Sequence, residues 1–380
     1  MLAAKRLLAY VRNFGLYGLG GRNNSAWSLS AVLVVLGTLA FAVSACGGGG
    51  GGGGESGESA TVRVGTAQSA SDAAIYIADK KGYFEEQGIQ LELIPFRSAA
   101  ETVPSLGSGD LDVAGGSPSA GMYNAVARGL DLKNVADKGS HPPGQGYSAL
   151  LVRRELVDSG QFNGFEDLNG LTIGIAAEGT SSEIDAVVPL REAGLTLNDV
   201  QPEYLAFPDH VSALENGSID AASTTEPSVT QAVQSGAAVR WAGADEFYPY
   251  QQVATIIYGP DFVEQGDLAT GFMVAYLKGA RDYNDALEEG RLQGPNADEI
   301  ISIIAEYSNI TDPELISNME AAGIDPNGEL NVDGMERDLQ TWKDQGLLEN
   351  EDVTAEQTVD TSFIDAAVEE LGPYEPNQNE

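Results

Sequence analysis

One pattern occurs twice in the 380-residue chain and constrains its fold more than any other feature. Gly109-Asp-Leu-Asp-Val-Ala-Gly-Gly-Ser-Pro118 is echoed by Gly217-Ser-Ile-Asp-Ala-Ala-Ser-Thr-Thr-Glu-Pro227. In each copy a glycine closes a short helix and an apolar run reads as a buried strand. Small polar residues then lead to a proline suited to a helix start. Two strand–polar loop–helix units imply two similar lobes whose loops face one another, a clamp for a small molecule.

The surroundings of the two copies share a rhythm. In the first half, strands are expected at Val62 to Gly65, Ile89 to Leu93, Leu111 to Ala114 and Asn134 to Ala136. Between them lie a helix capped by Ser71 or Asp72 and stopped at Gly82, a helix from Ala99 to Leu106, and a helix opened by Ser117-Pro118 and ending at Arg128. In the second half, strands at Leu171 to Ala176, Gln201 to Phe207, Ile219 to Ala222 and Ala238 to Trp241 alternate with three helices. These run from Thr180 or Ser181 to Gly194, from Asp209 to Asn216, and from Glu226-Pro227 to Gln234. Alternation of this kind predicts parallel sheets with right-handed crossovers. Ser148 to Arg153 and Val253 to Tyr258 read as the links between lobes. Beyond Pro260 the pattern is helical, over Phe262 to Leu287, Ala297 to Tyr307, Pro313 to Ala322, Val332 to Gln345 and Thr361 to Leu371, and Met335, Leu339 and Trp342 sit at core spacing.

Before the body comes a different kind of sequence. Residues 1–45 have a basic start and an uncharged apolar stretch from Ser30 to Val43, shorter than the ~20 residues of a membrane span. Val43-Ser44-Ala45-Cys46 is similar to a bacterial lipobox, in which the cysteine is lipidated after cleavage. Gly47 to Gly54 and the polar residues after them form a flexible tether of roughly 20 Å typical span. The expected organisation is a lipoprotein signal peptide (1–45), a lipidated Cys46 with its tether (46–60), a first lobe (61–147 with 257–380, including the C-terminal helices) and a second lobe (148–256).

Charge and cysteine content exclude several functions. Formal net charge is −37, and the part after Cys46 holds 16 basic and 57 acidic residues. Such a surface repels nucleic acid and anionic lipid headgroups. The single cysteine is Cys46, so the body has no disulfide and no cysteine-based metal centre. Two histidines, His141 and His210, and the absence of a nucleophile elbow, a P-loop or a His-Glu-x-x-His motif argue against catalysis.

Ligands of open α/β sheets bind beyond the carboxyl ends of strands. Four hydroxyl-rich loops qualify there: Gln68-Ser69-Ala70-Ser71, Gly115-Gly116-Ser117, Glu178-Gly179-Thr180-Ser181-Ser182 and Ser223-Thr224-Thr225-Glu226. Each precedes a helix, where backbone N–H groups and the dipole favour a polar or anionic acceptor. Helix capping would use the same residues without any ligand. Arg97 and His210 follow the second strand of each half and are candidates for the cleft rim. Glu226 is a candidate acceptor for a ligand amine or a brace for its helix. Phe96, Tyr147, Phe207, Tyr248 and Tyr250 are apolar or stacking candidates near the lobe junctions. No metal site or cofactor is expected.

The body resembles the extracytoplasmic solute-binding proteins of ABC importers, in the branch with nitrate, alkanesulfonate, taurine and thiamine-precursor (pyrimidine) binders. Ala78-Asp-Lys-Lys-Gly-Tyr-Phe-Glu-Glu-Gln-Gly-Ile-Gln-Leu-Glu-Leu93 carries the resemblance most specifically. Leu106 to Asp112, Asp167-Leu-Asn-Gly170 and Ala213 to Asp220 with Glu226-Pro227 extend it over Val62 to Trp241. The resemblance implies a two-lobed type II periplasmic-binding-protein-like α/β fold that closes on its solute like a hinge. It also implies a monomer at the outer face of the cytoplasmic membrane, delivering solute to a permease and its ATPase. The cleft loops offer no lysine and no second arginine, which argues against a strongly anionic solute such as nitrate. A sulfonate, an organic acid or a pyrimidine-like heterocycle remains open. The same family includes a pyrimidine synthase with a cysteine-rich iron site, for which this body has no cysteines. A ligand sensor could use the same clamp. The anchor predicts that Cys46→Ala releases the protein from membranes; membrane retention equal to wild type in fractionated cells would refute the lipidation site.

Overall fold

The computed structural model describes residues 59–308, 310 and 312–375. The leader, Cys46, the glycine run and the end of the polar tail lie outside the described residues. No described helix is long and apolar enough to cross a membrane.

The strands of the two main sheets are β1 (Ala60–Thr66), β2 (Ile89–Pro95), β3 (Val113–Gly116), β4 (Lys133–Ser140), β5 (Ser148–Arg153), β6 (Thr172–Ile175), β7 (Gln201–Tyr204), β8 (Ala221–Thr225), β9 (Ala238–Gly243) and β10 (Gln252–Tyr258). They form two five-stranded sheets of one pattern, β2-β1-β3-β10-β4 and β7-β6-β8-β5-β9. This is the two-lobed α/β architecture expected of the repeat. The glycines of the duplicated stretch end their helices in the same left-handed conformation, Gly109 at φ 75° and Gly217 at φ 74°.

The sheets are mixed, not parallel throughout. β1 runs parallel to β2 and β3, and β6 runs parallel to β7 and β8, but β10 is antiparallel to β3 and β4, and β5 is antiparallel to β8 and β9. The reversal has a simple cause. β4 and β9 end at the cleft, and the chain crosses there to the other lobe. It must enter the new sheet from its cleft end, so the incoming strand runs backwards. Ser148–Arg153 and Gln252–Tyr258 are therefore strands inside the sheets, and the links are the segments before them. The boundary expected at 256/257 would divide β10, which pairs as one strand with the first sheet. Nor do residues 257–380 pack on the first lobe alone: in helix Val332–Asp344, Leu339 and Trp342 share a cluster with Tyr123 of one lobe and Ile184 of the other.

Local capping also differs from expectation in informative ways. Asp72 holds the N-cap position of helix Ala73–Lys80, one of the two residues expected there, but its carboxylate makes no cap bond to the helix; it accepts instead from the N–H of Ser69 at 3.0 Å, the residue that starts the preceding turn. Ser119, not Ser117, caps helix Ala120–Ala127, its hydroxyl accepting from Met122 N. Pro118 thus lies ahead of its helix, and Ser117 is left for another task.

Two further observations carry predictions. Gly279 lies in helix Gly266–Asp285 where that helix presses on helix Ala73–Lys80, and a Cβ there would collide with the Ala74 carbonyl. Because the obstacle is backbone, Gly279→Val should lower unfolding free energy by about 3 kcal/mol in urea titration; an unchanged midpoint would show that the helices are not so close.

The junction between lobes buries charge-bearing groups. The two links pair through Tyr250 N–H to His141 O at 2.7 Å and His141 N–H to Gln251 O at 3.2 Å. Asp338 accepts from Tyr248 Oη and Gln251 Nε2, and Asp137 accepts from the Asp325 and Gly139 amides. Burial raises Asp137, Asp338 and Glu226 to about 7 and lowers His141 to about 3 and His210 to about 4. A raised carboxyl stabilises the fold fully below its unfolded pKa near 4 and loses that contribution as pH climbs through 7. The depressed histidines act oppositely, but their contribution is nearly complete above about 6.5. From pH 6.5 to 8 at constant salt the melting temperature should therefore fall; a rise over that range would contradict these buried acids.

Candidate ligand cleft

The carboxyl ends of the parallel strands and the amino ends of β5 and β10 converge on one cavity. It is lined from the first lobe by Ser69, Ser71, Ser98, Gly116, Ser117, Val253 and Ala254, and from the second by Ser148, Thr180, Ser181, Ser182, Asp185, Phe207, Ser223, Thr224 and Thr225, with Tyr147 between them. The space open to the centres of water-sized atoms is about 50 Å³. Such a cavity suits a small solute held between the lobes.

The structure thus gathers the four loops named from the sequence, but most of their polar atoms are occupied by the protein. Ser117 Oγ accepts from Ser181 N at 2.9 Å, bridging the lobes. Ala120 N donates to Gly179 O at 2.9 Å, and Ala70 N to Glu226 O at 3.0 Å, again from lobe to lobe. Ser182 Oγ accepts from Ala176 N, while Thr180 Oγ1 donates to Ala177 O and Ser223 Oγ to Ser182 O. Thr225 Oγ1 donates to Tyr147 O. Capping and loop closure account for these hydroxyls, and the Ser181, Ala120 and Ala70 amides at helix starts are bonded in closing the cleft.

Four of the polar sequence candidates, and the aromatic candidates Phe96, Tyr248 and Tyr250, do not line the cavity. Arg97 is 76% exposed and paired with Glu101; it borders a separate groove at the rim with Glu178 and Tyr204. His210 is fully buried, its Nε2 3.0 Å from Leu205 O, with Phe207 edge-on beside it. Its helix, Phe207–Asn216, begins two residues earlier than expected, and the histidine ring packs beside Gly174 of β6 inside the lobe. Glu226 accepts from the amide and hydroxyl of Thr230, so its carboxylate braces a helix start. Gln68, at φ 55°, is likewise absent from the lining.

Two groups escaped the sequence reading. Lys138 lies on β4, two residues beyond the strand expected there. It is fully buried, bonded to Asp72 Oδ1 at 2.8 Å and donating to Ser71 Oγ at 2.7 Å. Its stem fills the space beside Gly115, where a Cβ would come within 2.5 Å of Lys138 Cε. Asp185 is in helix Ser181–Glu192, buried and facing the cavity. The available signal was its spacing: Ser181, Ser182 and Asp185 share one helix face, and a carboxylate between Ile184 and Ala186 is out of character for a core helix.

Comparison with known proteins agrees with this geometry. A protein of Bacillus subtilis (strain 168) whose name assigns it to aliphatic sulfonates is 26% identical over 330 residues, 81% of this chain and 88% of its own. A 4-amino-5-hydroxymethyl-2-methylpyrimidine phosphate synthase of Aspergillus parasiticus is 26% identical over a shorter 149 residues, 39% of this chain and 40% of its own. The periplasmic nitrate-binding protein NrtA of Synechocystis PCC 6803 superposes with a TM-score of 0.69 at 15% identity, over 83% of this chain and 90% of that one, a likeness of fold. The family described as NMT1/THI5 like matches residues 69–288, more than half of the sequence, and the chain belongs to that family.

Proposed function

We infer that the chain is the solute-capturing component of an ABC importer, held at the outer face of the cytoplasmic membrane through Cys46. It encloses a small organic solute between its lobes, a sulfonate, an organic acid or a pyrimidine-like compound, and presents the closed form to a permease driven by an ATPase. It works as a monomer without a cofactor. The observation that carries this reading is the cavity: both lobes supply its walls, and hydrogen bonds such as Ser181 N to Ser117 Oγ span it. The chain folds into two lobes joined by two links, so opening needs only small changes in residues 141–147 and 244–251. The family's solute binders, the sulfonate-named relative among them, support the same reading.

A synthase reading has less behind it. No histidine or cysteine lines the cavity, and the only cysteine of the chain is Cys46. The test is a thermal-shift screen of residues 55–380 against sulfonates, aromatic acids, pyrimidines and polyamines, at moderate and high salt. A true solute at 100 times its Kd should stabilise the fold by about 2.7 kcal/mol. No stabilisation by any of them at either salt would refute capture of these solute classes.

A further inference from the structure

The cavity has one property that its hydroxyl-rich sequence does not suggest. Once the bonds within the protein are subtracted, three buried polar atoms on its wall have no partner among the described residues: Asp185 Oδ1, Tyr147 Oη and Thr224 Oγ1. Asp185 is 2% exposed, and Tyr147 and Thr224 are 1% exposed each. No lysine or arginine lines the cavity. Lys138, a fully buried cation behind Ser71, is already matched by Asp72 and turned to Ser71. Asp185 is thus the one Asp or Glu carboxyl among the lining residues, and nothing among the described residues supplies its counter-charge.

A buried carboxylate without donors is costly, and an occupant that brings a positive charge or N–H groups removes that cost. An occupant that brings only negative charge adds to it. The surroundings sharpen the choice. Burial, and next the buried Asp338 nearby, push the Asp185 carboxyl well above the ordinary aspartate range. Asp338 itself is already supplied with donors by Tyr248 and Gln251. At the helix start where an anion would be expected to sit, Ser181 N is committed to Ser117 Oγ.

We propose that Asp185 sets the specificity of the cleft, and that the solute it selects carries a protonated nitrogen or the N–H face of a nitrogen heterocycle. That nitrogen bonds to Asp185, while the Tyr147 and Thr224 hydroxyls take the remaining polar atoms. This rests on the solute-capture reading and narrows it: a sulfonate or a carboxylic acid qualifies only when it also bears such a nitrogen.

The test titrates the full chain in mild detergent, as wild type and as Asp185→Asn, by calorimetry with two probe series. One series is ethylammonium, acetamidinium and 4-aminopyrimidine; the other is ethanesulfonate, acetate and nitrate. The expected result is binding within the nitrogen series, weakened at least about tenfold by Asp185→Asn, a difference of about 1.4 kcal/mol. Thr224→Val should weaken the same probe less. Asparagine keeps the shape and cannot ionise, so its melting transition without solute should match or exceed wild type. Asp185→Ser serves for the same comparison if the asparagine variant does not fold. Binding confined to the anion series, or a nitrogen probe held equally by both variants, would overturn the role of Asp185 while leaving solute capture standing. If neither series binds and the wider thermal-shift screen is also empty, the capture reading falls and the inference with it.

Discussion

Everything in this molecule follows from the chain crossing twice between its sheets at the cleft. Each crossing happens at the cleft end of β4 or β9, and the incoming strand has to run backwards. β5 completes the second sheet and β10 the first, so neither lobe is finished without chain that has just left the other. The two links lie side by side, paired through His141, Tyr250 and Gln251. A cavity placed beside them is lined by the first residues of both reversed strands, Ser148 and the Val253-Ala254 pair. Moving the lobes opens or closes that cavity with little disturbance to either sheet.

The polar chemistry of the cleft is divided between holding the fold and leaving something free. Backbone amides at helix starts favour an anion in principle. Here they are bonded across the cleft, through Ser117 Oγ, Gly179 O and Glu226 O. Their work is closure. Lys138 and Asp72 neutralise each other behind Ser71, which makes the first lobe's wall rigid without lending it charge. The fully buried polar atoms left without a partner on the cavity wall are those of a carboxyl, a phenol and a threonine hydroxyl.

The helices beyond β10 are more than a covering layer. Helix Gly266–Asp285 packs so tightly on helix Ala73–Lys80 that only glycine fits at position 279. Helix Val332–Asp344 touches both lobes, with Trp342 near Tyr123 and Thr341 accepting from Arg191 of the second lobe. Arg240 of the second lobe reaches Glu320 at 2.7 Å. The C-terminal region therefore spans the hinge instead of belonging to one side of it.

Much of this architecture was legible in the sequence, because turns and periodicity are local. Gly109 and Gly217 marked the two equivalent helix ends, and the strand–helix rhythm gave two lobes and the loops at their mouths. Which polar residues those loops leave free was not legible. Ser117 and Ser119 are alike as cap candidates, and only three-dimensional packing assigns one to its helix and the other to the facing lobe. The direction of β5 and β10 depends on which end of a distant sheet the chain meets. Asp185 and Lys138 lie on a helix and a strand that local patterns treat as core. The partner of Lys138 is 66 residues away in sequence, and Asp185 Oδ1 has none among the described residues. The sequence by itself determined the repeat, the lobes and the chemistry of the loops, because each rests on short-range geometry. Tertiary structure decided which of those groups meet each other and which still face the solute, since burial and pairing are properties of the folded chain.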